Sequence, residues 1–145
     1  MSGIVYGFDA APLFKHLGGL ERLNAGHFAS VRREIGEYML GNVQDNFAGQ
    51  RLFDGSAMPP SKAAAKRAGK TQIDKRRLYD SYTDQLNNAG VEIGSALIYS
   101  AIHHFGGKTG RGQKTMITPR PVLGVSASQE KALGDFMIAE IGRLQ

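Results

Sequence analysis

The residues best suited to chemistry lie in one stretch, VEIGSALIYSAIHHFGG, at residues 91–107. Its adjacent histidines, His103 and His104, are of a residue type that ligates metal ions or acts in acid/base catalysis. Neighbouring residues of a helix point about 100° apart, however, whereas two helical ligands of one ion are usually spaced i, i+4. No Asp or Glu lies within a helical turn of His103. We therefore expect both histidines to have a structural or interface role and to bind no metal.

Glu92 is the acidic residue of this stretch, and Val91 and Ile93 beside it would point to the other face of a strand. A solvated or sheet-edge carboxylate, paired with Arg77 or Arg120, accounts for it without catalysis. General acid/base catalysis would require a second titratable group whose pKa is shifted in the opposite direction. The sequence offers no evident candidate, so we expect no catalytic residue and no enzymatic activity.

Composition and spacing disfavour two further kinds of site. The sequence has no cysteine, which excludes disulfides, thiolate zinc sites and cysteine nucleophiles. The segment GGKTGRG, at residues 106–112, is glycine-rich and basic but lacks the G-x-x-x-x-G-K-[ST] order of a phosphate-binding loop. We interpret it as a flexible surface loop, and we expect no cofactor.

The charge is distributed unevenly along the chain. The net charge is +5, from 18 basic and 13 acidic residues. Residues 62–77 hold seven basic residues and one acid, and residues 106–120 hold four basic residues and no acid, which leaves 7 basic against 12 acidic residues elsewhere. An acidic body with two basic loops indicates surfaces with different partners. The basic residues of the first loop are Lys62, Lys66, Arg67, Lys70, Lys75, Arg76 and Arg77.

The basic segment at residues 62–77 has three interpretations. It could be a solvated loop, or it could contact either DNA or an acidic protein surface. Contact with DNA phosphates would be independent of sequence and sensitive to salt. The segment lacks interleaved aromatic residues for base stacking, Tyr79 being the nearest.

The strongest periodicity in the chain follows His27 and predicts an amphipathic helix of roughly 22 residues, about 33 Å long. Such a helix is longer than a small sheet requires, so we expect part of it to serve a partner. Before it, the sequence predicts a strand at residues 3–8, a short helix after Pro12 and a break near residues 24–26. The periodic apolar residues of the long helix are Phe28, Val31, Ile35, Met39, Val43 and Phe47.

The remaining segments alternate between irregular and regular patterns. Residues 54–77 have scarcely any large apolar residue, so we expect a long mobile loop with a helical turn at 63–67. Strands are predicted at 81–86 and 91–95, with Tyr82, Gln85 or Leu86 opposite Val91 and Ile93. A helix at 96–105 would end at Gly106, followed by a glycine-rich loop and the extended segment MITPRPVLG. Ser126 and Gln129 form a capping-box pattern before a C-terminal amphipathic helix.

These elements predict one α+β domain over residues 1–145. Its small, mainly antiparallel sheet would pack against the long helix and the C-terminal helix, with a long mobile basic loop at residues 54–77. The sequence shows no targeting segment and no membrane-spanning run. We therefore expect a cytoplasmic protein without a membrane partner.

Four segments in order resemble the phage virion morphogenesis family, the tail completion proteins of Mu-like and related tailed phages and prophages. They are FDGSAMPPSKAAAKRAGK, RLYDSY, VEIGSALIYSAIHHFGG and ITPRPVLG. The resemblance covers roughly residues 26–144. The chain departs from the family pattern at Ala57-Met58, where the family tends to have Trp, and at Ser100, His104, Thr118-Pro119 and Val122.

The resemblance implies a small α+β fold without catalysis and a role in finishing the tail and joining it to the DNA-filled head. The implied partners are further copies of the chain in a hexameric ring, the tail tube or its terminator, and the head connector. The implied location is the tail or neck of the virion, after assembly in the host bacterial cytoplasm.

Within this family the stretch at residues 91–107 is interpreted as a scaffold turn, in which Tyr99, Ile102 and Phe105 form an apolar edge. Pro119 and Pro121 fix the backbone around Arg120, so its guanidinium is aimed at a carboxylate or a backbone carbonyl. We expect Arg120 to pair with Glu92 or with an acidic residue of a neighbouring subunit.

Two functions from different classes follow from these observations. The first is a structural virion protein whose subunits close into a ring at the head–tail junction. The alternative is a nucleic-acid-binding protein without enzymatic activity, which uses residues 62–77 and makes transient contact with DNA.

Overall fold

The computed structural model describes residues 9–22, 28–88 and 90–143. The predicted strand at residues 3–8 and the predicted break near residues 24–26 lie outside these ranges. The described helices are α1 (Ala11–Arg22), α2 (Phe28–Gly49), α3 (Lys62–Lys66), α4 (Arg77–Asp80), α5 (Ser100–Phe105) and α6 (Ala127–Arg143), and the strands are β1 (Tyr82–Leu86), β2 (Val91–Ser95), β3 (Gly107–Thr109) and β4 (Thr115–Ile117).

Helix α2 is the long helix that the periodicity predicts, and its length of 22 residues confirms the prediction. Its buried apolar side chains lie four or eight residues apart on one face, and Ile35 between the first two is partly buried. The buried residues are Val31, Met39, Val43 and Phe47. After the helix, Gln50 takes a positive φ of 51° and its N–H donates to the carbonyl of Phe47. The left-handed residue closes the last turn and directs the chain back across the core.

Strands β1 and β2 form the predicted antiparallel hairpin, with Leu86 opposite Val91. Ile93 lies opposite Asp84 rather than opposite Gln85 or Leu86, which corrects that part of the predicted register. Helix α2 packs closely on this hairpin at Gly36. A Cβ there would lie 2.6 Å from Oδ2 of Asp84 and 3.1 Å from Cγ2 of Val91, so the hydrogen of glycine allows the contact.

The glycine-rich segment after α5 is a second antiparallel hairpin, not the loop that its composition predicts. Strands β3 and β4 pair Gly107 with Ile117 and Thr109 with Thr115 around a short 3₁₀ helix, Arg111–Gln113. Over the described ranges the strands therefore form two separate two-stranded sheets, both antiparallel. The α+β class is confirmed, and Pro119 and Pro121 lie beyond β4 as expected.

Helix α6 begins at the predicted capping box, since the N–H of Ser126 donates to Oε1 of Gln129 at 2.9 Å. It packs on α2 through an edge-to-face contact between Tyr38 and Phe136, with ring centroids 5.3 Å apart. Glu140 lies in this contact, and its carboxylate is buried between α2 and α6.

The core combines α2 with residues from the 54–77 segment, α4, β1 and the extended segment after β4: Val43, Phe47, Met58, Leu78, Tyr82 and Val122. Met58 belongs to the segment at residues 54–77, and it supplies an apolar anchor where the family tends to have Trp. Ala64 and Thr71 of the same segment are also buried. Residues 54–77 therefore pack into the domain, which corrects the expectation that they have little to bury, and their mobility stays a prediction.

Candidate partner-binding site

The extended segment at residues 118–123 contacts several other segments of the chain. Nδ2 of Asn46, near the end of α2, donates to the carbonyl of Val122 at 3.0 Å. The N–H of Phe53, in the loop after α2, donates to the carbonyl of Pro121 at 3.0 Å. The segments FDGSAMPPSKAAAKRAGK and ITPRPVLG thus contact each other through a backbone hydrogen bond, which fixes how the loop after α2 leaves the core.

Arg120 links this extended segment to the turn at Pro59 and Pro60. Its side chain is buried, and Nε donates to the carbonyl of Pro59 at 2.5 Å while Nη2 donates to that of Pro60 at 3.2 Å. Nη1 donates to the carbonyl of Thr118 at 3.2 Å. Burial lowers the pKa of the guanidinium from its ordinary value. Three carbonyl dipoles, rather than a carboxylate, therefore compensate the buried charge.

The predicted pair between Arg120 and Glu92 is wrong. Glu92 is exposed on β2, where its carboxylate accepts a hydrogen bond from Nδ2 of Asn87 at 2.9 Å. Because the guanidinium points into the turn at Pro59, it is directed away from the hairpin. Among the described residues Arg77 makes no ion pair with Glu92 either. The alternative partner of Arg120, an acidic residue of a neighbouring subunit, stays a prediction.

Helix α5 begins four residues later than predicted and ends at Gly106 as predicted. Gly106 has a φ of +72°, and a Cβ there would lie 2.7 Å from Cδ of Pro119 and 2.8 Å from the carbonyl oxygen of Ile117. The position therefore requires glycine both for its backbone angle and for its space. The N–H of Arg120 donates to the carbonyl of His103, so this tight corner also positions the arginine.

The two histidines occupy different surroundings on α5. The ring of His103 makes an edge contact with Tyr99, and that of His104 makes one with Phe105, with centroids 5.9 Å and 4.6 Å apart. Burial, and then the charge of Arg120, lower the pKa of His103, and burial lowers that of His104. Within the described part of the chain no group of three or more His, Asp or Glu residues could hold a metal ion.

A polar cleft of about 300 Å³ separates residues 72–78 from the Tyr99–His103 turn. Both amide atoms of Gln72 and Nδ1 of His103 are buried without a hydrogen-bond partner. Buried polar atoms in native structures are nearly always paired. We refer to this feature as the Gln72 cleft. Its wall is formed by Gln72, Asp74, Lys75, Arg77, Leu78, Tyr99 and His103.

The backbone beside the cleft is strained. Ala68, Gln72 and Arg76 have φ angles of 50°, 63° and 57° although none is a glycine. Such angles are uncommon for these residue types and persist where the surrounding structure enforces them. Sequence reasoning missed Gln72, because nothing in the residue type signals a left-handed backbone.

The seven basic residues of the 62–77 segment fall into two groups. Three are occupied within the fold: Arg67 lies 3.7 Å from Asp74, Arg76 pairs with Asp80 at 3.3 Å and covers the ring of Tyr79, and Nζ of Lys70 donates to the carbonyl of Ala48. The other four make no ion pair or hydrogen bond with the described residues: Lys62, Lys66, Lys75 and Arg77. Lys62 also lines a second cleft, of about 640 Å³, with Lys114 of the other basic segment.

Two exposed carboxylates lie on other sides of α2. Glu37 and Asp45 are exposed there, and neither carboxylate forms an ion pair with a described residue. They are eight residues apart, which places them about 12 Å apart along the helix axis and about 80° apart around it. Asp45 points away from the core side that holds Val43 and Phe47, and Glu37 lies nearer the hairpin, where it lines a cleft with Arg33 and Leu86. The molecule thus presents unpaired carboxylates and unpaired cations on different sides.

No helix of the described residues combines the length and apolar character needed to span a membrane.

Comparison with known proteins connects this geometry to one family. The model of the phage virion morphogenesis family matches residues 9–142. A relative from Haemophilus influenzae, the Mu-like prophage FluMu G protein 2, is 35% identical over 113 residues, which are 77% of this chain and 78% of the relative. No solved structure gave a significant match.

Proposed function

The chain belongs to the phage virion morphogenesis family, and from this premise we propose that it completes the phage tail and joins it to the head as one subunit of a ring. Its coarser role, in building a phage or prophage particle, follows from the family itself. That role is structural rather than enzymatic. The finer proposal concerns the contacts that the subunit makes with its own copies and with neighbouring proteins.

The observation that supports a ring is the separation of charge on the subunit. Unpaired cations lie at residues 62–77, and unpaired carboxylates lie on α2. Complementary patches on different sides favour contact between unlike surfaces, and such a head-to-tail contact closes into a ring when its rotation closes. We propose six copies, to match a six-fold tail tube.

The two flat sides of such a ring would meet different partners. We propose the tail tube or its terminator on one side and the head connector on the other, with the ring located in the tail or neck of the virion. Assembly would take place in the host bacterial cytoplasm.

Contact with DNA is a second role for part of the same surface. The cleft shared by Lys62 and Lys114 brings the two basic segments of the sequence together. We propose that it makes transient, salt-sensitive contact with DNA that passes through the junction. This contact would add to the structural role rather than replace it.

Deletion of the gene in its phage or prophage tests the proposed function directly. We expect electron micrographs to show filled heads and tails that remain separate, and addition of the purified protein to restore joined particles. Joined particles in the absence of the protein would overturn the proposal.

The ring itself is tested with the purified protein. Light scattering at low and moderate salt should give a discrete species of several subunits, with and without a short duplex. A salt-sensitive complex of the monomer with DNA, together with no self-association at any concentration, would favour the nucleic-acid-binding alternative.

A further inference from the structure

We propose that the Gln72 cleft receives a carboxylate of a second copy of this chain, supplied by Glu37 or Asp45 of α2. The inference rests on the proposed ring, and it names the contact that would hold neighbouring subunits together.

The unpaired polar atoms are the first argument. The amide donor and the amide acceptor of Gln72 are buried without hydrogen-bond partners, and so is Nδ1 of His103. An unpaired polar atom destabilises the folded chain, and a partner that supplies the missing hydrogen bond recovers that free energy. A carboxylate can accept from Nε2 of Gln72 and from a protonated Nδ1 of a neutral His103. Gln72 and His103 both line the cleft.

The charge of the cleft is the second argument. Lys75 and Arg77 line it without an ion-pair partner among the described residues, while Asp74 is already close to Arg67 at 3.7 Å. A carboxylate would neutralise part of this excess of positive charge. A DNA phosphate fits less well, because a duplex is too wide to follow a side chain into a concave site whose polar atoms lie below the surface.

The strained backbone is the third argument. Gln72 and Arg76, with positive φ angles of 63° and 57°, fix the path of the segment that carries Lys75 and Arg77. A segment held in this way loses little conformational freedom when a partner docks. Strain of this kind clusters where a structure binds a ligand or a partner.

The position of the acidic residues is the fourth argument. Asp45 lies on the side of α2 that faces away from the core and Glu37 lies near Leu86 of the hairpin, whereas the Gln72 cleft is built against Leu78, which belongs to that core. One chain therefore cannot fill its own cleft. Each copy can offer carboxylates to the next copy and receive them from the previous one, which is the arrangement that a ring requires.

Three variants test the inference by sedimentation velocity over a range of protein concentrations. Gln72→Leu removes both amide atoms and keeps the side-chain volume, and Arg77→Glu reverses one charge of the cleft. A combined Glu37→Lys and Asp45→Lys variant reverses the proposed ligand. Each should weaken self-association at least roughly thirtyfold, as expected when one member of a buried charged contact is lost. Lys15→Glu, which changes an exposed cation on α1 outside residues 62–77, is the matched control and should have little effect.

Two further readouts separate this contact from a general loss of structure. At a protein concentration too low for the wild type to associate, Gln72→Leu should melt no lower than the wild type, because it removes unpaired polar atoms. A chain that carries Arg77→Glu together with Glu37→Lys and Asp45→Lys should regain association, because both sides of the contact have changed sign.

The outcomes distinguish the inference from the proposed function. If the wild type forms rings and the variants form them equally well, the inference is wrong and the ring stands. If Gln72→Leu clearly destabilises the monomer, the amide is already satisfied inside the fold, and the inference is again wrong. If the wild type stays monomeric in solution at millimolar concentration, and also binds as a monomer to tails prepared without the protein, the proposed ring and the inference are both wrong. If Arg77→Glu abolishes duplex binding but leaves association intact, the segment serves DNA and the inference is overturned.

Discussion

Replacement of Arg120 by methionine should destabilise the folded chain strongly. Methionine keeps an unbranched apolar stem but removes the donors that bind the carbonyls of Pro59, Pro60 and Thr118. The variant therefore separates the contribution of the guanidinium from that of its packing.

The magnitude can be worked from these contacts. Three hydrogen bonds from a charged donor, at about 1.5 kcal/mol each, give roughly 4.5 kcal/mol before other effects are counted. Two effects offset part of it: the variant no longer buries a charge, and partly exposed carbonyls can bind water instead. We expect a loss of about 3 kcal/mol in the free energy of unfolding, which corresponds to a melting temperature lower by about 10 °C in a domain of this size.

Urea denaturation followed by circular dichroism measures this difference. Arg111→Met is the matched control, because Arg111 is exposed in the 3₁₀ helix, and it should change the free energy of unfolding by less than about 0.5 kcal/mol. If Arg120→Met remained within that margin, the carbonyl contacts would contribute little, and the assignment of Arg120 as the structural link between its two segments would be refuted.

Three further predictions follow from local geometry. Gly106→Ala should lower the free energy of unfolding by about 2 kcal/mol or more, because the residue has a φ of +72° and a Cβ would lie 2.7 Å from Pro119. Gly134→Ala, in α6 with nothing within 4 Å of its Cβ, should raise it by about 0.5–1 kcal/mol, and urea titration measures both. Burial holds the pKa of His103 below 6.5, so its contribution to stability is complete above that pH and is lost as the pH falls below it. His103→Phe should flatten the decline in melting temperature between about pH 7 and pH 5.

The regular elements with strong periodicity could be predicted from the sequence. Helix α2 and hairpin β1–β2 follow from residue patterns that hold over many positions, and the cap at Ser126 follows from a local hydrogen-bond motif. Strands β3 and β4 could not be predicted, because they have three residues each and lie in a glycine-rich segment. Strands this short form because they pair with each other and because the corner at Gly106 positions them, and not because of their own composition.

The candidate site was predictable only in part. The sequence indicated an interface at residues 62–77, but it could not show which cations are already paired, since Arg67 reaches Asp74 through irregular backbone and Arg76 pairs with Asp80 across the short helix α4, which was not predicted. The partner of Arg120 was predicted wrongly because sequence reasoning pairs charges with charges. Backbone carbonyls belong to every residue and leave no signal in the residue types.

The way Arg120 holds its neighbours also affects how the chain can change over time. Because its acceptors are main-chain oxygens, the turn at Pro59 and Pro60 can exchange side chains without losing the contact, provided that the backbone keeps its path. The converse does not hold. No single substitution at the turn can compensate for the loss of the guanidinium, since a carbonyl has no side-chain counterpart to alter. Constraint on this contact therefore falls on one residue alone, and paired substitutions between the two segments would not reveal it.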